Sequence, residues 1–334
     1  RNSAKELVPN HFTFFLFHHV ALFPPKHWPK AIGVNGMLMV EGDKMSKSKG
    51  NFVTLRSAIE QYGADATRCS LLLGAEGMDD PDWRSENVRD VKIKLETFYR
   101  MINKIIETPA EGEKQSHLED WLFSVLQHRI RTITESMEVL KTRTAIENAF
   151  FEVWNEFRWY MRRKEKPNSR VLKEALKTWI RLLAPFAPYI SEEIWNKMGE
   201  KGFVSLAEWP KYNEKRVNVR AEEIESLVAN VLEDTSNILR ATKMMPRKIY
   251  YYSAASWKWK AYLKSLEKAI STRVSVGDLM KELMKDAALK KEAGKIAEFA
   301  RQIVEEINRT PDDRKRKQIE VGVLDENKAL KEAE

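Results

Sequence analysis

Residues 44–51 carry the side chains with the clearest chemical use, in the order Lys-Met-Ser-Lys-Ser-Lys-Gly-Asn. The lysines are Lys44, Lys47 and Lys49, and the serines are Ser46 and Ser48. Gly42 before the stretch and Gly50 within it permit backbone turns that other residues resist. Ammonium groups neutralise a polyphosphate, and hydroxyl and backbone N–H groups complete its hydrogen bonds. The pattern therefore favours a phosphate-binding loop, although a solvated lysine-rich surface has the same composition.

The exact string separates these two interpretations. Residues 44–48 resemble the second signature of the class I aminoacyl-tRNA synthetases. The resemblance implies that the loop closes over ATP and stabilises the pyrophosphate leaving group while an aminoacyl-adenylate forms. Pre-placed lysines stabilise that transition state more than the ground state. The implied catalytic residues are Lys44 and Lys47, and the implied ATP contacts include Met45, Ser46 and Ser48.

The N-terminal residues carry the other candidate ATP contacts. Residues 4–7, Ala-Lys-Glu-Leu, stand where the family has a segment that helps to bind adenosine, so the resemblance assigns Glu6 to a ribose hydroxyl. His11 either faces the adenylate or caps a helix. Residues 12–23 are apolar on every side of a helix, which predicts a buried helix ended by Pro24-Pro25.

The elements around the loop belong to an α/β segment. Two short apolar runs bracket Asn35-Gly36, a turn pair, and the second run leads into the lysine loop. A strand that feeds a phosphate loop is typical of nucleotide-binding α/β sheets. We predict that residues 1–53 are the second half of a Rossmann-like catalytic domain. Residues 54–85 then form a helical linker in the stem-contact region, with a turn at 79–83.

Residues 86–215 have apolar positions three to four apart, which predicts a helical bundle. Residues 183–195 resemble a signature of the anticodon-binding domain of class Ia synthetases, and Ser191 is expected to cap a helix after Pro188. Residues 141–181 hold 11 Lys/Arg against 5 Asp/Glu, as an RNA-binding face requires, although a solvated basic face is the alternative. The tRNA-contact candidates are Arg158, Arg162, Arg163 and Lys166.

Residues 216–334 are predicted to form a small α+β domain that contacts tRNA. Helices are expected at about 221–243 and from Ser256 to about Ala269, with a strand at 248–252 between them. Tyr250 and Tyr252 on this strand either stack on bases or lie half in the core, and the core is the expected place. The fold class is therefore mostly α, with an α/β segment first.

Composition narrows the function further. The chain has 334 residues and net charge +8, with 43% hydrophobic and 32% charged residues. Cys69, the single cysteine, excludes an internal disulfide and a cysteine-cluster zinc site, and it is expected on a buried helix. The histidines lack metal-ligand spacing, and no apolar run reaches the length of a membrane span, so neither a metal site nor a membrane partner is predicted. Because the chain begins at Arg1 in a structured segment, we expect a fragment of a longer protein.

Three features resemble the archaeal and eukaryotic leucyl branch of the family: Asn35-Gly36, Lys49 after Ser48, and a Phe-rich helix before Trp28-Pro29. The resemblance implies a cytoplasmic enzyme that ligates leucine to tRNA(Leu) through leucyl-adenylate, with ATP as substrate and Mg²⁺ beside it.

The family's His-x-Gly-His signature and editing domain lie upstream, and that signature does not occur here. The chain is therefore predicted to be inactive without an upstream half. Two alternatives stay open. One is a stand-alone tRNA-binding subunit, and the other is a class Ia synthetase for isoleucine, valine or methionine.

Overall fold

The computed structural model describes residues 2–107, 116–164 and 166–331. The helix break predicted at 109–114 lies outside these residues. The chain divides into two compact units, residues 1–216 and 217–334. In the described residues the first unit joins an α/β segment to a series of helices, and the second unit contains helices without strands. The prediction of a mostly helical chain that opens with an α/β segment is confirmed.

Short strands in the first unit form two small sheets. Strand β1 (Asn2–Ala4) runs parallel to β2 (Gly33–Asn35). In the second sheet β3 (Met39–Val40) is central, with β4 (Asp43–Lys44) antiparallel on one side and β5 (Asp82–Trp83) parallel on the other. The two apolar runs around residues 35–36 therefore enter different sheets, and part of the turn predicted at 79–83 is a strand.

Gly36 lies between β2 and β3, and the backbone of residues 79–80 passes close to it. A Cβ at this position would lie 1.9 Å from the carbonyl oxygen of Asp79. Any larger residue would push the two chain segments apart. Glycine is therefore required at position 36 because the two backbone segments approach each other so closely.

Helix α1 (Thr13–Leu22) forms where the apolar run predicts a helix, but the expected burial is wrong. None of its residues is buried, and Phe17 is 71% exposed. Only Phe12, just before the helix, is buried within the predicted run. An apolar surface is buried only where another element covers it, and no element of the described chain covers this one.

Two linker helices and a bundle follow. The linker helices are α2 (Leu55–Tyr62) and α3 (Ala64–Gly74). The bundle helices are α4 (Ser85–Glu107), α5 (His117–Glu138), α6 (Thr142–Ile146), α7 (Val153–Arg163), α8 (Ser169–Leu183) and α9 (Pro188–Lys197), with a π-helical turn, Glu147–Glu152, between α6 and α7. The helices expected from apolar periodicity are thus present, and Cys69 is buried on α3 as predicted.

Trp179 of α8 lies at the centre of the bundle. It is fully buried, and its indole N–H donates to the carbonyl of Ala149 at 2.7 Å. Its ring centroid lies 4.8 Å from that of Phe98 on α4 and 4.6 Å from that of Phe157 on α7. Such aromatic contacts stabilise a core beyond the area they bury. Trp179 therefore joins three helices of the bundle.

The second unit packs several helices around its own apolar cores. They are α10 (Val219–Thr242), α11 (Ser256–Lys268), α12 (Val276–Leu283), α13 (Ala287–Lys290), α14 (Ala293–Arg309), α15 (Asp312–Val321) and α16 (Glu326–Lys331). One core cluster includes Leu266 of α11, Leu279 of α12 and Ile307 of α14. Across both units, no helix among the described residues is long and apolar enough to cross a membrane.

The strand predicted at 248–252 is wrong, and with it the α+β character of this unit. These residues have no regular structure, and Tyr250 and Tyr252 are 71% and 93% exposed rather than half in the core. A strand requires a neighbouring strand for its backbone hydrogen bonds. The described part of this unit offers none.

Candidate functional site

A tight hairpin presents the lysine loop. The chain turns between β3 and β4 at Glu41 and Gly42, whose φ angles are 51° and 83°. Positive φ at both central residues is the geometry of a two-residue hairpin turn that matches the twist of its strands. The backbone N–H of Gly42 donates to Asp82 at 2.9 Å, which attaches the turn to β5. Lys44, the last residue of β4, therefore starts the loop from a fixed strand.

Asn51 closes the loop on itself. Its Oδ1 accepts the backbone N–H of Ser46 at 2.9 Å, and its Nδ2 donates to the carbonyl of Lys44 at 3.3 Å. Inside this closure the hydroxyls of Ser46 and Ser48 lie 2.7 Å apart. Sequence reasoning did not assign Asn51 a role. The signal was available, since an amide that follows Gly50 can bond to backbone groups on both sides of a turn.

The three lysines of the loop are not equivalent. Lys49 forms an ion pair with Asp43, with an Nζ–Oδ1 distance of 3.0 Å. Lys47 places its ammonium 5.5 Å from the centre of the Phe52 ring. Neither Lys44 nor Lys47 forms an ion pair with a carboxylate of the described residues, and both are exposed. These two ammonium groups are therefore available to a bound anion.

Asp80 and Asp82 connect the chain around the β3–β4 hairpin to neighbouring parts of the α/β segment. Asp80 pairs with Lys5 at 2.7 Å and accepts the backbone N–H of Met37 at 2.6 Å. Both bonds lower the pKa of Asp80 below its usual value, and the bond from Lys5 has the larger effect. The bond from Gly42, followed by that from Arg84, does the same for Asp82. Both carboxylates thus act as fixed acceptors beneath the hairpin.

The structure does not bring Glu6 and His11 into contact with the loop. Glu6 is exposed on a short 3₁₀ turn, Lys5–Leu7. His11 is also exposed, and its ring lies against Phe12 and Phe15, with centroids 5.7 and 6.4 Å away. No hydrogen bond or ion pair in the described parts of the chain joins either residue to residues 44–51. Their ATP-binding roles therefore stay predictions.

The tRNA-contact candidates lie on and after α7. Arg158, Arg162 and Lys166 are exposed, and Arg162 stacks over the Trp159 ring at 4.6 Å. Arg163 is half-buried and already has a partner. The exposed three can reach a phosphate backbone, and their role in RNA binding stays a prediction.

Lys164, in the same basic run, has a structural role. Its ammonium pairs at 2.6 Å with Glu119, which is fully buried. Tyr160 donates to the same carboxylate oxygen at 2.6 Å. Lys164 therefore neutralises a buried charge rather than offering a free one.

Two protein-family profiles match the chain. The profile described as "tRNA synthetases class I (M)" matches residues 3–106, which contain the loop. The profile described as "Anticodon-binding domain of tRNA ligase" matches residues 119–250, which contain the basic stretch after α7. The two matches follow one another along the chain in the order that the sequence predicts.

Curated relatives align with the whole chain. The leucine–tRNA ligase of Methanosarcina barkeri is 40% identical over 337 aligned positions, which cover 100% of this chain and 34% of the relative. That of Pyrococcus furiosus is 40% identical over 339 positions, with the same coverage. The chain is homologous to the leucine–tRNA ligases. It spans about a third of the length of these relatives.

A solved leucyl enzyme resembles the chain in three dimensions. It is the LeuRS of Agrobacterium radiobacter K84 in a ternary complex with tRNA and LeuAMS. The match has a TM-score of 0.57 and 26% identity, and it covers 65% of this chain and 29% of that one. The sequence and the fold of the chain are thus both similar to those of leucine–tRNA ligases.

Proposed function

We propose that this chain supplies the polyphosphate-binding loop and the tRNA-binding helices of a leucine–tRNA ligase, which joins leucine to tRNA(Leu) through leucyl-adenylate at the expense of ATP. The observation that carries the proposal is the pair of exposed ammonium groups, Lys44 and Lys47, on a loop that Asn51 holds closed. The leucine–tRNA ligases that are about 40% identical over the whole chain support leucine as the amino acid.

The loop's contribution to the reaction is electrostatic. When the carboxylate of leucine attacks the α-phosphorus of ATP, negative charge accumulates on the departing pyrophosphate. Lys44 and Lys47 stabilise that charge, and their effect is larger in the transition state than in the ground state because the charge increases along the reaction. Asn51 holds the loop backbone in its closed conformation before ATP binds. Less conformational entropy is therefore lost when Lys44 and Lys47 are positioned for the reaction.

Magnesium would enter this site with ATP. Among the described residues, no group of three or more His, Cys, Asp or Glu side chains could hold a metal ion. The phosphate oxygens of ATP are the ligands that Mg²⁺ prefers, together with water and one or two carboxylates. No protein-held magnesium site is therefore part of the proposal.

The helical part of the chain would bind the tRNA. The anticodon-binding profile covers α7, and Arg158, Arg162 and Lys166 are exposed there. Contacts from such side chains to phosphates supply affinity that falls as salt concentration rises. The three residues thus offer a salt-sensitive, sequence-independent contribution to tRNA binding.

An upstream part of the enzyme would cover helix α1. The exposed side chains of this helix include Phe14, Phe17, Val20 and Leu22. Several large apolar side chains exposed on one short helix indicate an interaction site. The chain spans about a third of the relatives' length, and we assign the cover of α1 to the part of the enzyme that it does not span. On this account the chain alone does not activate leucine.

The test is amino-acid-dependent exchange of pyrophosphate into ATP. It should be measured for this chain alone, and for the complete protein or this chain mixed with an upstream half, with each of the twenty amino acids. We expect exchange with leucine only when the upstream part is present. Exchange with isoleucine, valine or methionine would keep the class and overturn the substrate.

Two other results would show whether the chain depends on an upstream part and whether the complete protein is an enzyme. Exchange by the purified chain alone would refute its dependence on an upstream part. Binding of tRNA(Leu) without exchange in a complete, folded protein would favour the stand-alone tRNA-binding subunit.

A further inference from the structure

The segment between α10 and α11, residues 243–252, is exposed along its whole length. It includes two aromatic side chains without cover, Tyr250 and Tyr252, which are 71% and 93% exposed. Aromatic rings left in water cost free energy unless a partner covers them. The segment therefore presents a surface that needs an explanation.

The segment is anchored at points next to these tyrosines. The hydroxyl of Tyr251 lies 3.0 Å from that of Thr235 on α10. The Thr235 hydroxyl donates its single proton to the carbonyl of Val231 at 2.6 Å, so Tyr251 is the donor to Thr235. Tyr251 is thus fixed to the helix, while the neighbours on either side of it remain exposed.

Glu326 of α16 provides a second anchor. One of its carboxylate oxygens accepts the backbone N–H of Ala254 at 2.6 Å, and the other accepts the indole N–H of Trp259 at 2.8 Å. The two anchors, Thr235 and Glu326, lie on different helices of the same unit. Tyr250 and Tyr252 are therefore held near a fixed backbone.

The segment lies in a basic stretch of the chain. Residues 235–266 contain seven Lys/Arg and no Asp/Glu. Lys260 and Lys264 form ion pairs with Asp286 at 2.8 Å. The other five basic side chains of residues 235–266 form no ion pair with a carboxylate of the described residues. Three of these five, Lys243, Arg247 and Lys248, lie within the segment itself.

We propose that residues 243–252 bind unpaired nucleotides of RNA. Tyr250 and Tyr252 stack on bases, and Arg247 and Lys248 contact the phosphates between them. Aromatic stacking together with a basic backbone contact is how proteins hold single-stranded nucleic acid. The basic side chains of residues 235–266 favour RNA over a protein partner, because the phosphate backbone of RNA is complementary to them. The inference deepens the proposed function, since it names a tRNA-contacting segment.

The test measures binding by the full chain of a tRNA(Leu) transcript and of an unstructured RNA oligonucleotide, at several salt concentrations. The double variant Y250A/Y252A removes the stacking rings, and R247A/K248A removes the phosphate contacts. Matched controls are Tyr189→Ala, which removes a 69% exposed ring from the first unit, and K290A/K291A, which removes two exposed lysines from the same unit. Thermal unfolding verifies that each variant is folded, and Y250L/Y252L provides a bulkier replacement without aromatic rings.

We expect Y250A/Y252A and Y250L/Y252L to weaken binding of both RNAs by about tenfold or more, as loss of stacking on a base does. R247A/K248A should lower the slope of log affinity against log salt by roughly 1 to 2, and the two controls should change neither quantity. Unchanged affinity in folded Y250A/Y252A would overturn the inference.

The same experiment separates this inference from the proposed function. If the chain binds the oligonucleotide through Tyr250 and Tyr252 but does not bind tRNA(Leu), the segment's role stands and the proposed function fails. If it binds tRNA(Leu) normally without these rings, the proposed function stands and the inference fails. If it binds neither RNA, both fail.

Discussion

The carboxylate of Asp65, in the first turn of α3, accepts the backbone N–H of Ile190 with an Oδ2–N distance of 2.7 Å. Its other oxygen accepts the N–H of Tyr189 at 3.2 Å. N–H groups in the first turn of a helix have no acceptor within the helix. Asp65 therefore supplies the cap of α9, 125 positions further along the chain. Ser191, the expected cap, lies inside α9 and is fully buried.

Replacing Asp65 should loosen the junction between the linker and the bundle. Asp65→Ala leaves two helix donors without their acceptor, and loss of a helix cap costs about 1–2 kcal/mol. We expect a decrease of that size in the free energy of unfolding by urea. Asp90→Ala, which removes an exposed carboxylate from α4, should change it by less than about 0.5 kcal/mol. Equal stability of the two variants would show that Asp65 does not hold the junction.

Cys69 should resist alkylation in the folded chain. The thiol is fully buried, and its Sγ lies 3.7 Å from the carbonyl oxygen of Phe186. Burial, together with the negative charge of Asp65, raises its pKa to about 12, so almost no thiolate exists at neutral pH. Iodoacetamide at pH 8 should modify the chain only after urea unfolding, as mass spectrometry would reveal. Rapid modification of the native chain would contradict this packing.

Glu156 of α7 should make the stability of the bundle depend on pH. The residue is 7% exposed, and burial raises its pKa to about 7, although Arg129 donates to Oε1 at 2.7 Å and opposes the shift. Glu152, which contacts the same arginine, raises the pKa further, and His128 lowers it.

Because the folded state then holds a proton that the unfolded state has lost, this group's contribution to stability is complete below about pH 4.5. It decreases as the pH rises to about 7. Urea unfolding between pH 4.5 and 8 should therefore show a decrease of up to about 3 kcal/mol in wild type that Glu156→Gln lacks. The exposed control Glu138→Gln should keep the wild-type dependence. Identical pH profiles for wild type and Glu156→Gln would assign the ordinary ionised state to this carboxylate.

Asn51 should affect catalysis without affecting stability. Asn51→Ala removes two hydrogen bonds within the loop, each of which stabilises the closed loop against local opening by about 0.5–1.5 kcal/mol. In the complete enzyme we expect pyrophosphate exchange to slow by about tenfold, with the unfolding temperature unchanged. Asn51→Asp keeps an acceptor for Ser46 and should be intermediate. Wild-type exchange in both variants would mean that the closed loop is not needed.

Local sequence patterns predicted the elements that depend on local physics. The apolar periodicity predicted the bundle helices, and the Lys/Ser/Gly composition predicted the loop, because both are encoded within a few neighbouring residues. The cap on α9 could not be predicted in this way, since Asp65 and Ile190 meet only after the chain has folded.

The errors have the same origin. The sequence of α1 contains the apolar residues of a buried helix but not the surface that would cover it. Residues 248–252 have the composition of a strand, but strand formation requires a partner that composition does not reveal. Within the loop, the ion pair of Lys49 with Asp43 distinguishes Lys49 from Lys44 and Lys47, and this pair exists only in the folded chain.

Leucine-dependent ATP–pyrophosphate exchange by the complete enzyme carrying Lys44→Ala, Lys47→Ala or Lys49→Ala measures what each lysine of the loop contributes to catalysis. Removing a group that stabilises transition-state charge costs about 2–4 kcal/mol, so the first two variants should slow exchange by roughly 100-fold or more. Lys49→Ala, which breaks an exposed ion pair, should slow it by less than about fivefold. Unchanged exchange in both Lys44→Ala and Lys47→Ala would contradict the role assigned to this loop.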